Sequence, residues 1–427
     1  MDLSLSRIRS LMSLLPRYTR RTIHIAGTNG KGSTTAFVDS ILRQAGLFTG
    51  RFNSPHLLTG RDSILLNGQE ISPDDYQETF RSVATANEIG NCGCTNFELQ
   101  TATALLAFER THVEVAILEV GLGGRLDATN VIPDDVVMVS GITAIDLDHQ
   151  AILGNSLQQI AGEKAAIARR GRPCVLGRQS HMEVVDAIEE SVSVIGGYLL
   201  HGSAQVQVFP HPPSTPSHPV GATISLHGSH QVHNAELAIA LVETLQQAPS
   251  FLHVTLKQIA QGLGLASWPG RLEWINYCEP TEYGGKLWLL ADGAHNAASA
   301  ACLATYLKSL PFTGARSFVI SLSYSPSKSP RSILEVMLLP GDRVAVVPFA
   351  SVDGMPWVKP QESVTVVQAA KDLVGSSGEV MAWDDLKAAL SWARCGHSVV
   401  VVTGSLYLVA DLYRLLLTSQ IKCWSVV

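Results

Sequence analysis

Seven residues constrain this chain more than any others: Gly27-Thr28-Asn29-Gly30-Lys31-Gly32-Ser33. They stand between a β-rich run, Thr22–Ala26, and a stretch of helical periodicity, Thr34–Ala45, that stops at Gly46. Glycines at a strand-to-helix turn let backbone N–H groups point inward, and the helix start adds partial positive charge, so the turn suits a phosphate. Lys31 supplies a full charge and the Ser33 hydroxyl a ligand for phosphate or magnesium. The spacing departs from G-x-x-x-x-G-K-[ST], because only two residues separate Gly27 from Gly30 and Gly32 lies between Lys31 and Ser33. A plain tight turn is the competing reading, but a plain turn has no use for a lysine there.

A phosphate loop of this kind needs a parallel sheet around it, and the chain supplies one. Val113–Val120 and Val136–Ile142 are continuous apolar runs, suited to strands buried on both faces. Helical patterns occupy Pro73–Asn87, with Ser72 as its N-cap, and Phe97–Thr111. His233–Gln247 is helical again. Tyr198–Leu226 is different: its Pro, His, Ser and Gly content around Pro210–Pro219 marks a loop flanked by a short β excursion. Trp268-Pro269-Gly270 breaks the pattern near a domain boundary. A second alternation follows, with strands at Leu287–Ala291, Phe318–Ser321, Val344–Pro348 and Ser398–Thr403 and a closing helix at Leu406–Leu417. The fold class is α/β: a P-loop parallel-sheet domain over 1–284 and a smaller Rossmann-like α/β domain over 285–427.

Composition agrees with two packed cores. Hydrophobic residues make up 46% of the 427 positions and charged residues 16%, which argues against extensive disorder. The net charge of -6 comes without a basic block, so a nucleic-acid partner has no electrostatic support. Seven cysteines are scattered, and Cys92 and Cys94 lack the second pair a zinc site requires; they read as reduced thiols. No apolar run is long enough for a membrane span. The N-terminus is rich in arginine (Arg7, Arg9, Arg17, Arg20, Arg21), as a mitochondrial transit peptide is. Leu5, Ile8, Leu11, Met12 and Leu15 recur at helical spacing, however, and a strand begins near Thr22. A packed first helix and a cytoplasmic location are the expectation.

Several polar groups fall at strand ends, where ligands of open α/β sheets bind. Glu119 closes a buried strand directly before Gly121-Leu122-Gly123-Gly124-Arg125-Leu126-Asp127 and is a magnesium candidate; a solvated strand-end acid is the alternative. Arg125 and Asp127 either meet a substrate or pair with each other. His149, in Asp146-Leu147-Asp148-His149, is a metal ligand, a base or a structural histidine. Glu163-Lys164 reads from its spacing as a solvated helical charge pair. Asp292-Gly293-Ala294-His295-Asn296 offers a carboxylate for a ribose and an imidazole for a phosphate, or else a turn at Gly293 and a helix cap at Asn296.

Taken together these stretches resemble the folylpolyglutamate synthase and dihydrofolate synthase family, relatives of the Mur ligases. The matching segments are GTNGKGST at Gly27–Thr34, SPHL at Ser54–Leu57, EVGLGGRLDATN at Glu119–Asn130 and LDH at Leu147–His149. IAGEKAAI at Ile160–Ile167, PGRLE at Pro269–Glu273, DGAHN at Asp292–Asn296 and TGSLYLV at Thr403–Val409 extend the match in the family's order. The resemblance implies an ATP-binding Mur-ligase-like domain and a C-terminal glutamate-ligase domain. It implies that Gly27, Thr28, Asn29, Gly30, Lys31, Gly32, Ser33 and Thr34 hold ATP phosphates and that Ser54 and Glu119 bind one magnesium ion. It implies a second ion among Glu119, His149 and Lys164, with Lys164 carbamylated. Asn234 would contact adenine, Arg271 the phosphates, Asp292 and His295 the nucleotide from across the domain interface, and Arg125 and Asp127 the pterin.

The implied activity is ATP-dependent ligation of L-glutamate to 7,8-dihydropteroate by a monomer; the alternative is glutamate addition to tetrahydrofolate, or both. Asn29, the RFNSPHL stretch and the compact length resemble dihydrofolate synthases more than the longer eukaryotic polyglutamate synthases. A nucleotide-switch protein would need a guanine-reading N-K-x-D motif, which the chain lacks. Departures from the family pattern are Ala166 for a glycine, Ala297 for a proline, and Ser323–Ser329 where relatives carry a DKD-like loop.

Overall fold

The computed structural model describes residues 4–202, 207–209, 221–247, 253–278, 286–311, 316–325, 329–352, 354–394 and 399–418. The proline-rich loop around Pro210–Pro219 and the central part of the Ser323–Ser329 stretch lie outside them. Two compact units divide the chain: Met1–Ser225 with His230–Ser267, and Leu226–Ser229 with Trp268–Val427. The division therefore falls at Trp268, not after residue 284. The reason is an unforeseen strand, Glu273–Cys278, which pairs antiparallel with the first strand of the second sheet.

Unit 1 is built on an eight-stranded sheet. Its strands are β1 (Arg21–Ala26), β2 (Thr49–Phe52), β3 (Ile64–Leu66), β4 (Gln69–Glu70), β5 (Val115–Glu119), β6 (Val137–Ile142), β7 (Pro173–Leu176) and β8 (Tyr198–His201). The order is β4-β3-β2-β5-β1-β6-β7-β8. All pairs from β2 to β8 are parallel, and β3 and β4 add an antiparallel edge. The chain runs from β5 on one side of β1 to β6 on the other, so β1 marks the point where strand order reverses. A crevice opens there, beyond the carboxyl ends of the strands. Ile23, Ile25, Ile117 and Leu118 are fully buried, as central parallel strands demand.

Helices cover this sheet. Lys31–Gln44 follows β1 directly, and Pro73–Ile89 starts with the Ser72 side chain accepting from Asp75 N. Thr95 and Glu98 form a capping box on Asn96–Arg110, which satisfies N–H groups that the first turn cannot. The first helix, Ser6–Ser13, buries Ile8 and Leu11 completely, so it is packed structure. Two short parallel strands, β9 (Gln207–Phe209) and β10 (Gly221–Thr223), flank the proline-rich loop.

Unit 2 has a six-stranded sheet of β11 (Glu273–Cys278), β12 (Lys286–Ala291), β13 (Ser317–Ile320), β14 (Arg343–Val346), β15 (Glu379–Ala382) and β16 (Val399–Thr403), in the order β11-β12-β16-β13-β14-β15. Only the β11–β12 pair is antiparallel. Phe318, Leu290 and Val401 sit at its centre with Leu303, Leu334 and Val366 from the covering helices. Among the described residues no helix is long and apolar enough to cross a membrane. Cys92, Cys94, Cys174 and Cys302 are free thiols.

Candidate active site

The loop after β1 is shaped by two backbone positions that an L-side chain rarely adopts. Gly27 has φ +148° and Gly30 φ +94°. A Cβ on Gly27 would lie 1.8 Å from Thr143 Oγ1, and one on Gly30 2.2 Å from Asn234 Oδ1, so both positions need glycine for conformation and for space. The amides of Thr28 and Asn29 donate to Ala144 O at 2.9 and 3.1 Å. The Thr28 hydroxyl receives Asp146 N at 3.1 Å and donates to Asp146 O at 3.2 Å. These bonds tie the loop to the end of β6. The helix Lys31–Gln44 then opens on Gly30 without a side-chain cap. Its first N–H groups are those a phosphate would meet.

Charged groups gather around this opening. Lys31 Nζ donates to Thr28 O at 3.2 Å and lies 4.0 Å from Glu119 Oε1. Glu119 ends β5, beside β2, where Asn53 Nδ2 donates to Glu119 Oε2 and to Thr35 Oγ1, both at 2.7 Å. The Asn53 amide is thus the brace that orients the carboxylate. It lies inside the RFNSPHL stretch, and that position was its only sequence signal. Next to it, Ser54 Oγ is buried with no hydrogen-bond partner.

Lys164 is the largest departure from the reading of a solvated pair with Glu163. Its side chain is 4% exposed and Nζ donates to Gly27 O at 2.8 Å. Burial, with help from the Lys31 cation, lowers its pKa to about 7 against the opposing pull of Asp148 and Asp127. Glu163 turns away and pairs with Arg125, whose Nη2 is 2.9 Å from Glu163 Oε1. Arg125 and Asp127 do not pair with each other. Asp127 is buried and braces its own loop, accepting from Leu122 N, Thr129 N and Thr129 Oγ1. His149 has φ +53° and a side chain 54% exposed, with Nε2 3.9 Å from Asp148 Oδ2. Asn234 packs against Gly30 and donates to Gln231 Oε1 at 2.9 Å.

The residues present suit a magnesium ion. Among the described residues no three His, Cys, Asp or Glu side chains form a cage. Magnesium is commonly held by one or two carboxylates, with waters and phosphate oxygens completing the octahedron. One oriented carboxylate at Glu119 and an unsatisfied hydroxyl at Ser54 meet that need.

Unit 2 carries a separate cluster at the carboxyl end of β12. Asp292 is buried and accepts Leu272 N and Ala294 N, each at 2.9 Å. Burial raises its pKa to about 6 although the Arg271 guanidinium opposes this. Arg271 crosses the face of Gly293, where a Cβ would lie 2.4 Å from Nη1. The His295 ring donates through Nδ1 to Gly293 O at 2.9 Å. Asn296 caps the next helix in a capping box with Ser299, so the capping alternative holds for that residue.

Comparison with known proteins gives the family. A family model described as Mur ligase middle domain matches residues 25–242, and one described as Dihydrofolate synthetase, C-terminal domain matches 273–415. The dihydrofolate synthetase of Saccharomyces cerevisiae is 34% identical over 97% of this chain and 98% of its own. The crystal structure of Mycobacterium tuberculosis folylpolyglutamate synthase complexed with ADP and AMPPCP superposes with TM-score 0.80 at 30% identity, covering 98% of this chain and 96% of that one. A bifunctional folylpolyglutamate synthase/dihydrofolate synthase from Yersinia pestis, complexed with AMPPNP and Mn ion, superposes with TM-score 0.77 at 26% identity over 97% and 94% of the chains. By these matches over nearly its whole length, the chain belongs to the dihydrofolate synthetase and folylpolyglutamate synthase family of Mur-type ligases.

Proposed function

We propose that this enzyme joins L-glutamate to 7,8-dihydropteroate with ATP, giving dihydrofolate, ADP and phosphate. The observation that carries the reading is the uncapped helix start at Lys31, with the Lys31 ammonium 4.0 Å from the Glu119 carboxylate. The likeness to the yeast dihydrofolate synthetase, which spans both chains almost fully, supports this substrate over tetrahydrofolate.

A carboxylate resists attack by an amine because its oxygen is a poor leaving group. Transfer of the ATP γ-phosphoryl to the pteroate carboxylate makes an acyl phosphate, and the glutamate α-amine then displaces phosphate. The first step brings anions together. Backbone N–H groups from Gly30 to Ser33 donate to phosphate oxygens, and Lys31 offsets charge on the transferred group. Ser54 and Glu119 would hold magnesium, which neutralises phosphate charge when bound. Asn53 keeps Glu119 aimed.

We assign His149 and Lys164 to a second ion. The neutral amine, well populated at a pKa of about 7, is the form that adds carbon dioxide, so carbamylation of Lys164 is part of this reading. Asn234 is assigned to adenine, Arg271, Asp292 and His295 to the nucleotide, and the Arg125–Asp127 loop to the pterin. The test is incorporation of labelled glutamate with dihydropteroate and, separately, with tetrahydrofolate. Dihydropteroate is expected to be the better acceptor; turnover of tetrahydrofolate alone overturns the assignment.

A further inference from the structure

One polar side chain inside unit 1 has no part in the chemistry above. His24 lies on β1, fully buried, between Ile23 and Ile25. An apolar residue would avoid the cost of burying an imidazole, and here that cost is only partly met. Nε2 is 2.8 Å from Thr129 Oγ1, while Nδ1 is buried without a hydrogen-bond partner. Thr129 Oγ1 lies 2.5 Å from Asp127 Oδ1 and donates to it. A hydroxyl has one proton. Since that proton goes to the carboxylate, the hydroxyl accepts from the ring, and the imidazole is the Nε2–H tautomer.

Hydrogen bonds therefore run in one direction, from His24 to Thr129 to Asp127. Asp127 also receives Leu122 N at 2.8 Å and Thr129 N at 3.0 Å. Its carboxylate closes the glycine-rich loop into a ring. The ring nitrogen stays in its neutral form because burial, reinforced by the Arg169 cation, depresses its pKa to about 3. Arg169 holds the segment beyond the loop, with Nη2 donating to Asn130 Oδ1 at 2.7 Å and Nε 2.7 Å from Asp134 Oδ1.

We propose that His24 is a positioning residue: it occupies the acceptor side of the Thr129 hydroxyl, commits that hydroxyl's proton to Asp127, and so holds the Gly121–Asp127 loop in the shape that receives the pteroate substrate. The inference deepens the proposed function and rests on its assignment of this loop to the pterin.

Steady-state kinetics of the full chain, varying dihydropteroate and ATP separately, test it. His24→Leu and Thr129→Val are each expected to raise KM for dihydropteroate about tenfold, the scale of one buried hydrogen bond, with KM for ATP within about twofold of wild type. His24→Gln, which restores an N–H near the Nε2 position, and Thr129→Ser should recover most of the loss. The His24→Leu/Thr129→Val double variant should be no worse than about the poorer single one, because both break one chain. Unchanged KM for dihydropteroate in both single variants overturns the proposal, and so do equal rises in both KM values. If His24→Leu does not fold, Thr129→Val and its serine counterpart carry the same decision. If the wild type refuses dihydropteroate and uses another pteroyl acceptor, the functional assignment fails; the KM ratio measured with that acceptor still decides the role of His24.

Discussion

The loop after β1 and the loop after β12 are built to the same plan and finished differently. Both leave the carboxyl end of a sheet strand and enter a helix. In unit 1 the helix opens on Gly30 in a left-handed conformation and no side chain caps it. In unit 2 Asn296 and Ser299 cap the helix Ala297–Ser309 reciprocally. Helix-start N–H groups remain available to an anion in the first case, while in the second the Asn296 and Ser299 amides are occupied by the capping box. The first loop can act through its backbone. The second offers fewer free amides and carries the buried Asp292 and the His295 ring, with Arg271 reaching across Gly293 from the segment before β11. A strand-to-helix turn is therefore not a phosphate site by topology alone; what decides it is whether the protein has already spent the helix end on itself.

The largest test of that contrast is Lys31→Ala. Removing the cation at the open helix end should lower glutamate incorporation about a thousandfold, on the scale of a lost electrostatic contact to a transition state. The thermal unfolding midpoint should stay near wild type, because among the described residues Lys31 makes only a backbone hydrogen bond and a 4.0 Å ion pair. Retained turnover would remove the functional half of the contrast.

The next test uses pH, because the buried charge has opposite sign in the two units. Lys164 falls from its ordinary 10.5 to about 7 in the folded state. Between those values the unfolded chain holds a proton that the folded chain lacks, so stability rises with pH. Asp292 rises from 3.8 to about 6. Between those values the folded chain holds the extra proton, so stability falls as pH rises. Each slope has a ceiling of about 1.4 kcal/mol per pH unit. All seven tryptophans lie at or beyond Trp268, so their fluorescence during denaturation reports unit 2, and peptide-resolved hydrogen exchange reports unit 1. Lys164→Met should flatten the alkaline slope in unit 1, in carbon dioxide-free buffer, and Asp292→Asn the acid slope in unit 2. Slopes that survive these substitutions would assign the titration to other groups.

The smallest effect is at the cap. Asn296→Ala should destabilise unit 2 by about 1 kcal/mol, read by tryptophan fluorescence, without the kinetic collapse expected for Lys31→Ala. A thousandfold loss of turnover in this variant would mean that the capped end also serves the reaction.

What could be read from the sequence follows the same division between local and long-range causes. The glycine-rich turn between β1 and the helix Lys31–Gln44 was legible because its strand, glycines, lysine and helix are contiguous. Ser72 and Asn296 were legible as caps for the same reason. Lys164 was legible only through the family resemblance: by spacing its neighbour Glu163 suggests a solvated pair, and only the packing of the helix Leu157–Ala165 turns one side chain inward and the other out to Arg125. Glu273–Cys278 was not legible because the break at Trp268–Gly270 marks a boundary and gives no sign of a strand behind it. Asn53 and His24 escaped because one amide or imidazole in an apolar run has no periodic signature. Their roles come from Glu119 and Thr129, which are 66 and 105 residues away.

The hydrogen bond from Lys164 to Gly27 O joins positions 137 residues apart. During synthesis, the loop after β1 leaves the ribosome long before the residue that donates to it. Closing so long a segment carries an entropy cost that only the completed sheet, from β1 through β6, can offset. A nascent chain that has not yet reached residue 164 thus lacks the donor to Gly27 O, and the loop gains that contact only as the first unit closes.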